Sequence, residues 1–128
     1  MKKVIIDASV WLAHILPDED TSKKEEQVFE EFYNKQLTVL APPLLKLELA
    51  NGLSSAVKSQ RLLWYGADEL LDFFLQLHLE YIDVELSKAL HLSTDYNLSV
   101  YDAMYLALAQ DFSAELITDD KKLRALIS

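Results

Sequence analysis

The chain has 128 residues, no cysteine, 51% hydrophobic residues and a formal net charge of −9. This length and apolar content support a single folded domain over 1–128, and they exclude a disordered chain, a disulfide scaffold and any thiolate metal site. No apolar stretch approaches the roughly 18 residues that span a bilayer, and the first apolar run breaks at Asp7, so a cytoplasmic protein with no membrane partner is expected.

After Lys3, Val4-Ile5-Ile6 is an unbroken β-branched run that ends on Asp7. Such a run reads as a short strand covered on both faces, the pattern of a parallel sheet. Ser9 to Leu16 reads as a short helix stopped by Pro17, with the acidic loop Asp18-Glu19-Asp20 after it. Ser22 and Glu25 have capping-box spacing and open a helix through Tyr33. Leu37 to Ala41 is a second strand, closed by Pro42-Pro43, and helices follow over about 44–58 and 67–77. Leu79 to Val84 reads as a third strand and Leu86 to Tyr96 as a helix, with Asn97 a left-handed stop. Ser99 opens a helix to about Phe112, Glu115 to Thr118 is a fourth strand, and Asp120 to Ile127 closes the chain. Strands alternating with helices predict an α/β fold with a mainly parallel sheet.

Acids recur where this pattern turns from strand to helix. Asp7 follows the first strand and Asp119-Asp120 the last, while Asp102 is the only charge between Val100 and Ala109. Glu48 lies beside the apolar stripe of its helix, with Asn51 nearly one turn on. Each has an ordinary alternative: Asp7 or Ser9 caps a helix, Ser99 and Asp102 form a capping box, Asp120 caps the last helix, and Glu48 sits at a stripe's margin. In a parallel sheet, however, the ends of the strands converge on one crevice, where ligands bind. Carboxylates gathered there raise one another's pKa unless a cation neutralises them. Hard oxygen donors suit Mg²⁺ or Mn²⁺, which also bind phosphate oxygens and activate water for phosphoryl chemistry.

Four stretches together resemble a PIN domain, and specifically a small VapC-type toxin ribonuclease. They are Ile6-Asp7-Ala8-Ser9-Val10-Trp11, Leu47-Glu48-Leu49-Ala50-Asn51, Tyr101-Asp102-Ala103-Met104-Tyr105-Leu106-Ala107-Leu108-Ala109, and Leu116-Ile117-Thr118-Asp119-Asp120 with Leu123. The ordered set covers nearly the whole chain and is more specific than any one motif. The resemblance implies a three-layer fold with a short five-stranded sheet between helices. It also implies a Mg²⁺- or Mn²⁺-dependent endoribonuclease that forms homodimers and is silenced by an antitoxin. By carry-over, Asp7, Glu48, Asp102 and Asp120 are the catalytic metal-binding acids, with Asp119 at a variable position of the pattern and a rival for the fourth place. Ser9, Asn51 and Thr118 are implied as supporting polar groups.

The histidines His14, His78 and His91 have no ligand-like pairing. An acidic protein that binds RNA needs local help: two divalent ions would bring the charge from −9 to about −5. Lys121, Lys122 and Arg124 then stand ready for phosphates, or else form a solvated basic face. An acidic crevice would also attract a basic antitoxin segment. Two rival readings are a receiver-like signalling domain and a PIN fold kept only for binding. The first lacks its acid pair after strand one and its lysine after a fifth strand; the full set of acids argues against the second. The helix over 67–77 is apolar around most of its circumference, so it and the helix over 44–58 are expected to supply a dimer interface or an antitoxin groove.

Overall fold

The computed structural model describes residues 1–127. Its strands are β1 (Lys2–Ile6), β2 (Leu37–Ala41), β3 (Glu80–Tyr81) and β4 (Glu115–Ile117). They form one sheet in the order β3-β2-β1-β4, with every neighbouring pair parallel. The helices are α1 (Ala8–Ile15), α2 (Lys23–Tyr33), α3 (Leu44–Lys58), α4 (Trp64–Leu75), α5 (Leu86–Tyr96), α6 (Val100–Phe112) and α7 (Lys121–Ile127).

Period-two alternation divides the strand side chains between two cores. Val4, Ile6, Val39, Ala41 and Ile117 face one cluster, which α1, α2, α3 and α4 complete with Val10, Trp11, Phe29, Leu45, Leu49 and Phe74. Ile5, Leu40 and Leu116 face the other, against Tyr105, Leu108 and Ala109 of α6. Both sheet faces are therefore covered, which is why the strands read as continuous apolar runs. Trp11 is fully buried, its ring meeting Phe29 at 5.0 Å and Phe74 at 5.2 Å between centroids, both edge-on. Gly52 lets α3 close on α1: a Cβ there would lie 2.3 Å from Leu12 Cδ1.

Local signals set most boundaries. Ser22 and Glu25 form a reciprocal capping box, Asn97 ends α5 at φ 54°, and Ser99 caps α6. Three expectations need correction. The sheet has four strands among the described residues, as the sequence pattern counted, and not the five implied by the resemblance. The third strand, expected over 79–84, is Glu80–Tyr81, although the Ile82 N–H extends the ladder by one bond to Ala41 O at 2.9 Å. The fourth helix runs over Trp64–Leu75 rather than 67–77, because Leu63 in extended backbone can begin it without any side-chain cap.

Candidate active site

Where β1 runs out, Asp7 takes extended backbone and its N–H donates to Ile117 O at 3.1 Å, extending the β1–β4 ladder by one residue. Its Oδ1 accepts from the Val10 N–H at 3.2 Å and from Ser9 Oγ at 2.7 Å. Its Oδ2 accepts from Thr118 Oγ1, and the side chain is only 6% exposed. Asp7 is thus the N-cap of α1 and also a carboxylate held rigidly by two hydroxyls at the sheet's C-terminal edge. The cap is shown, and it does not exclude a functional role for the same carboxylate.

Thr118 Oγ1 also accepts from the Asp120 N–H at 3.0 Å, so one hydroxyl joins the ends of β1 and β4. Asp120 Oδ1 accepts from the Leu123 N–H at 2.9 Å and caps α7, which leaves Oδ2 for other work. Asp102 lies in the first turn of α6, where its N–H donates to Ser99 Oγ at 3.1 Å. Glu48 is half-buried on α3, and Tyr105 Oη donates to its Oε1 at 2.6 Å.

These carboxylates act on one another through their charge. Burial raises the Glu48 pKa above the usual carboxylate range, and the charges of Asp102 and Asp7 raise it further, against a lowering bond from Tyr105. Burial likewise raises Asp102, helped by the charges of Asp120 and Asp7. Among the described residues, no lysine or arginine offsets either rise. Burial, the bond to Glu48 and the surrounding acids together hold the Tyr105 phenol protonated, well above its ordinary value, so it remains a donor. Among the described residues, no group of three or more acids or histidines is placed to hold a metal ion as it stands. Repulsion between uncompensated carboxylates opposes a closer approach. The donor chemistry of the four candidate residues, carboxylate oxygens only, fits a hard divalent ion.

Asp119 makes a different main contact, although it too feels the charge of Asp7. Its pKa is pushed up to about 6, first by its hydrogen bond with Glu25 and then by burial, while Arg124 Nη2 lies 3.5 Å from Oδ1. Glu25 keeps the charge: burial raises it, but the bonds from Asp119 and Ser22 outweigh that and hold it below its ordinary value. Asn51 is exposed and shares a cleft with Glu48. Lys121 is exposed, while Lys122 Nζ donates to Asn97 O, which ties α7 to the α5–α6 turn. Arg124 Nη2 donates to Thr118 O at 2.7 Å, bracing the strand end from behind. His14 is stacked on Phe29 at 3.7 Å, and burial lowers its pKa.

Tyr105 is the participant that motif reading missed. It was legible in principle, because position i+3 from Asp102 places it on the same helix face one turn further in. Glu25 was read only as a cap, and nothing local signals its bond to Asp119, 94 residues away in the chain.

Comparison with known proteins agrees with this architecture. The family profile described as PIN domain matches residues 4–127. The chain is 30% identical over 125 residues to Ribonuclease VapC3 of Pyrobaculum aerophilum, covering 94% of this chain and 92% of that one. Among solved structures, PAE2754 from Pyrobaculum aerophilum is similar with a TM-score of 0.72 at 23% identity, over 97% of this chain and 78% of that one. VapBC2 from Rickettsia felis, solved bound to a DNA fragment from its promoter, is similar with a TM-score of 0.67 at 20% identity, over 98% and 92% of the two chains. With the profile matched across both strand ends that carry the acids, and a relative alike over nearly its full length, this chain belongs to the PIN domain family.

Proposed function

We propose that this protein is a Mg²⁺- or Mn²⁺-dependent endoribonuclease, a single PIN domain acting in the cytoplasm as the toxin of a toxin–antitoxin pair. The observation that carries the reading is a set of four carboxylates from β1, α3, α6 and the β4–α7 turn. Two of them, Glu48 and Asp102, have pKa values raised first by burial and then by neighbouring acids, with no basic side chain to offset the rise. Similarity to a protein named ribonuclease over nearly the whole chain supports the reaction class.

Asp7, Glu48, Asp102 and Asp120 would hold the ion. When bound, it would supply positive charge for an in-line displacement at phosphorus and lower the pKa of water. The chain's own residues do the positioning. Ser9 and Thr118 fix both oxygens of Asp7, Tyr105 fixes Glu48, and Asp120 keeps one oxygen free because α7 uses only the other. Asp120 would be the fourth ligand in preference to Asp119: Asp119 feels the charge of Asp7 but is engaged with Glu25, while Asp120 acts on Asp102 and keeps one oxygen outside its cap. Lys121 and Lys122, next in the chain, would meet the phosphates that flank the scissile bond.

An antitoxin partner is supported by the likeness to VapBC2 and by the acidic crevice, which would attract a basic segment. A homodimer is supported by the exposed apolar face of α4. Protein freed of any partner should cleave single-stranded RNA with Mg²⁺ or Mn²⁺ and stop when EDTA is added. Full activity in metal-free buffer would overturn the mechanism.

A further inference from the structure

Helix α3 carries two stripes. Leu45, Leu49, Leu53 and Ala56 are buried and face the core. Leu44, Leu47, Glu48 and Asn51 recur at i, i+3, i+4 and i+7, so they share a second face. This second face is apolar at one end yet open: Leu47 is 69% exposed. Across from it, Tyr101 of α6 is 60% exposed, and the five residues line a cleft of about 410 Å³. Glu48 forms part of its wall, so the cleft reaches one of the four candidate carboxylates. Leu47 and Tyr101 each immediately precede one of the candidate metal-binding acids. The helices that set those acids therefore also set the distance from them to the cleft.

We propose that this cleft is a nucleobase subsite, holding one unpaired base of single-stranded RNA beside the scissile phosphate. The inference rests on the ribonuclease reading above and names how that site grips its substrate. A base is flat, neutral and apolar on its faces, with hydrogen-bonding groups on its edge. Tyr101 offers a ring for stacking, Leu44 and Leu47 an apolar floor, and Asn51 an amide for the base edge. Neutrality matters here: a phosphate lodged against Glu48 without a cation would be repelled, whereas a base is not. A duplex keeps its bases stacked inward, so the subsite selects unpaired RNA.

The test is a cycle of two proteins and two substrates. Wild type and Tyr101→Ala are compared on a short single-stranded oligoribonucleotide, and on the same oligonucleotide with an abasic nucleotide next to the scissile bond. On intact RNA, Tyr101→Ala should raise KM about tenfold, the order expected for one lost base–aromatic stack, with kcat within about threefold and Tm unchanged. Tyr101→Trp should keep the low KM. On the abasic substrate the two proteins should become equal, because the interaction is already gone.

Equal KM on intact RNA overturns the subsite, including the case in which Tyr101→Ala instead loses a protein partner. A penalty of the same size on both substrates, or loss of the fold in Tyr101→Ala, overturns it as well. Should the wild type cleave no RNA, the enzymatic reading fails separately. Fluorescence polarisation of the labelled oligonucleotide then decides the cleft: about tenfold tighter binding to wild type than to Tyr101→Ala supports it, and equal or absent binding overturns it.

Discussion

Helices α6 and α4 look alike in composition and differ in fate. Both are mostly apolar, yet α6 buries Ala103 and the run from Tyr105 to Ala109. Helix α4, among its described residues, buries Phe74 alone and leaves Trp64, Tyr65, Phe73 and Leu75 exposed. The difference is position. Helix α6 lies on the sheet, where Ile5, Leu40 and Leu116 receive its apolar side, while its first turn holds Asp102 at the crevice. Helix α4 packs beside α3 and reaches the main core through Phe74, with Leu71 half-buried. Apolar content states that a helix seeks cover; the topology decides whether the same chain provides it. One helix thus sits on a buried base, and the other presents a surface.

The largest expected effect is on α6. Asp102→Asn keeps the side chain's size and removes one ligand charge, so cleavage should fall on the order of a thousandfold, about 4 kcal/mol of transition-state stabilisation. Tm in metal-free buffer should hold or rise, because repulsion among the acids is relieved. A clear loss of Tm would make Asp102 a structural cap and reduce α6 to a core helix.

On α4, neighbouring phenylalanines should behave oppositely. Phe74→Ala empties a fully buried place against Trp11 and should cost about 3–5 kcal/mol, on the order of 10 °C in Tm. Phe73→Glu, at a side chain 46% exposed, should leave the monomer's stability within about 0.5 kcal/mol. It should also dissociate a dimer in light scattering if α4 is the interface. Equal destabilisation by both would show that α4 is covered within the monomer.

Tyr105→Phe tests the buried base of α6 more finely. It deletes only the hydroxyl that meets Glu48 at 2.6 Å. Metal affinity by calorimetry should fall about 10- to 100-fold, the usual cost of losing an outer partner of a ligand, with the fold retained. Unchanged affinity would make Tyr105 ordinary core.

The smallest effect is on pH dependence. Glu48 and Asp102 have raised pKa values in the folded chain, and Asp119 is raised to about 6. Between about pH 4 and 6 the folded state therefore holds protons that the unfolded chain has released. Metal-free stability should fall as pH rises from about 4 to 6 on account of these acids, with the buried His14, whose pKa is lowered, pulling the other way just below its ordinary value. The lowered acids Asp18, Glu25 and Glu115 act with the opposite sign, but below the ordinary carboxylate range. A saturating divalent ion should flatten or reverse the slope; Tm across pH, with and without Mn²⁺, reads both.

Local pattern carried much of this molecule. The run Val4-Ile5-Ile6, the box Ser22 to Glu25, the stop at Asn97 and the cap at Ser99 each act within a few residues of chain, and each was legible from the sequence. The strand-end acids Asp7 and Asp120 were legible for the same reason, since a carboxylate that ends an apolar run is a local event. Glu48 and Asp102 needed the ordered resemblance to join them. Their bare contexts allowed a stripe margin and a capping box equally well.

Tertiary structure alone decided the rest, because it depends on which distant segments meet. The shared hydroxyl of Thr118 spans 111 residues to Asp7, and Tyr105 reaches Glu48 across 57. The pairing of Glu25 with Asp119 and the fate of Phe73 against Phe74 are set in the same way, by the side chain that comes to lie opposite. Backbone bonding and apolar periodicity act over one turn or one strand, and can be read along the chain. Burial and charge act through space, so their outcome waits on the packing of the sheet between its helices.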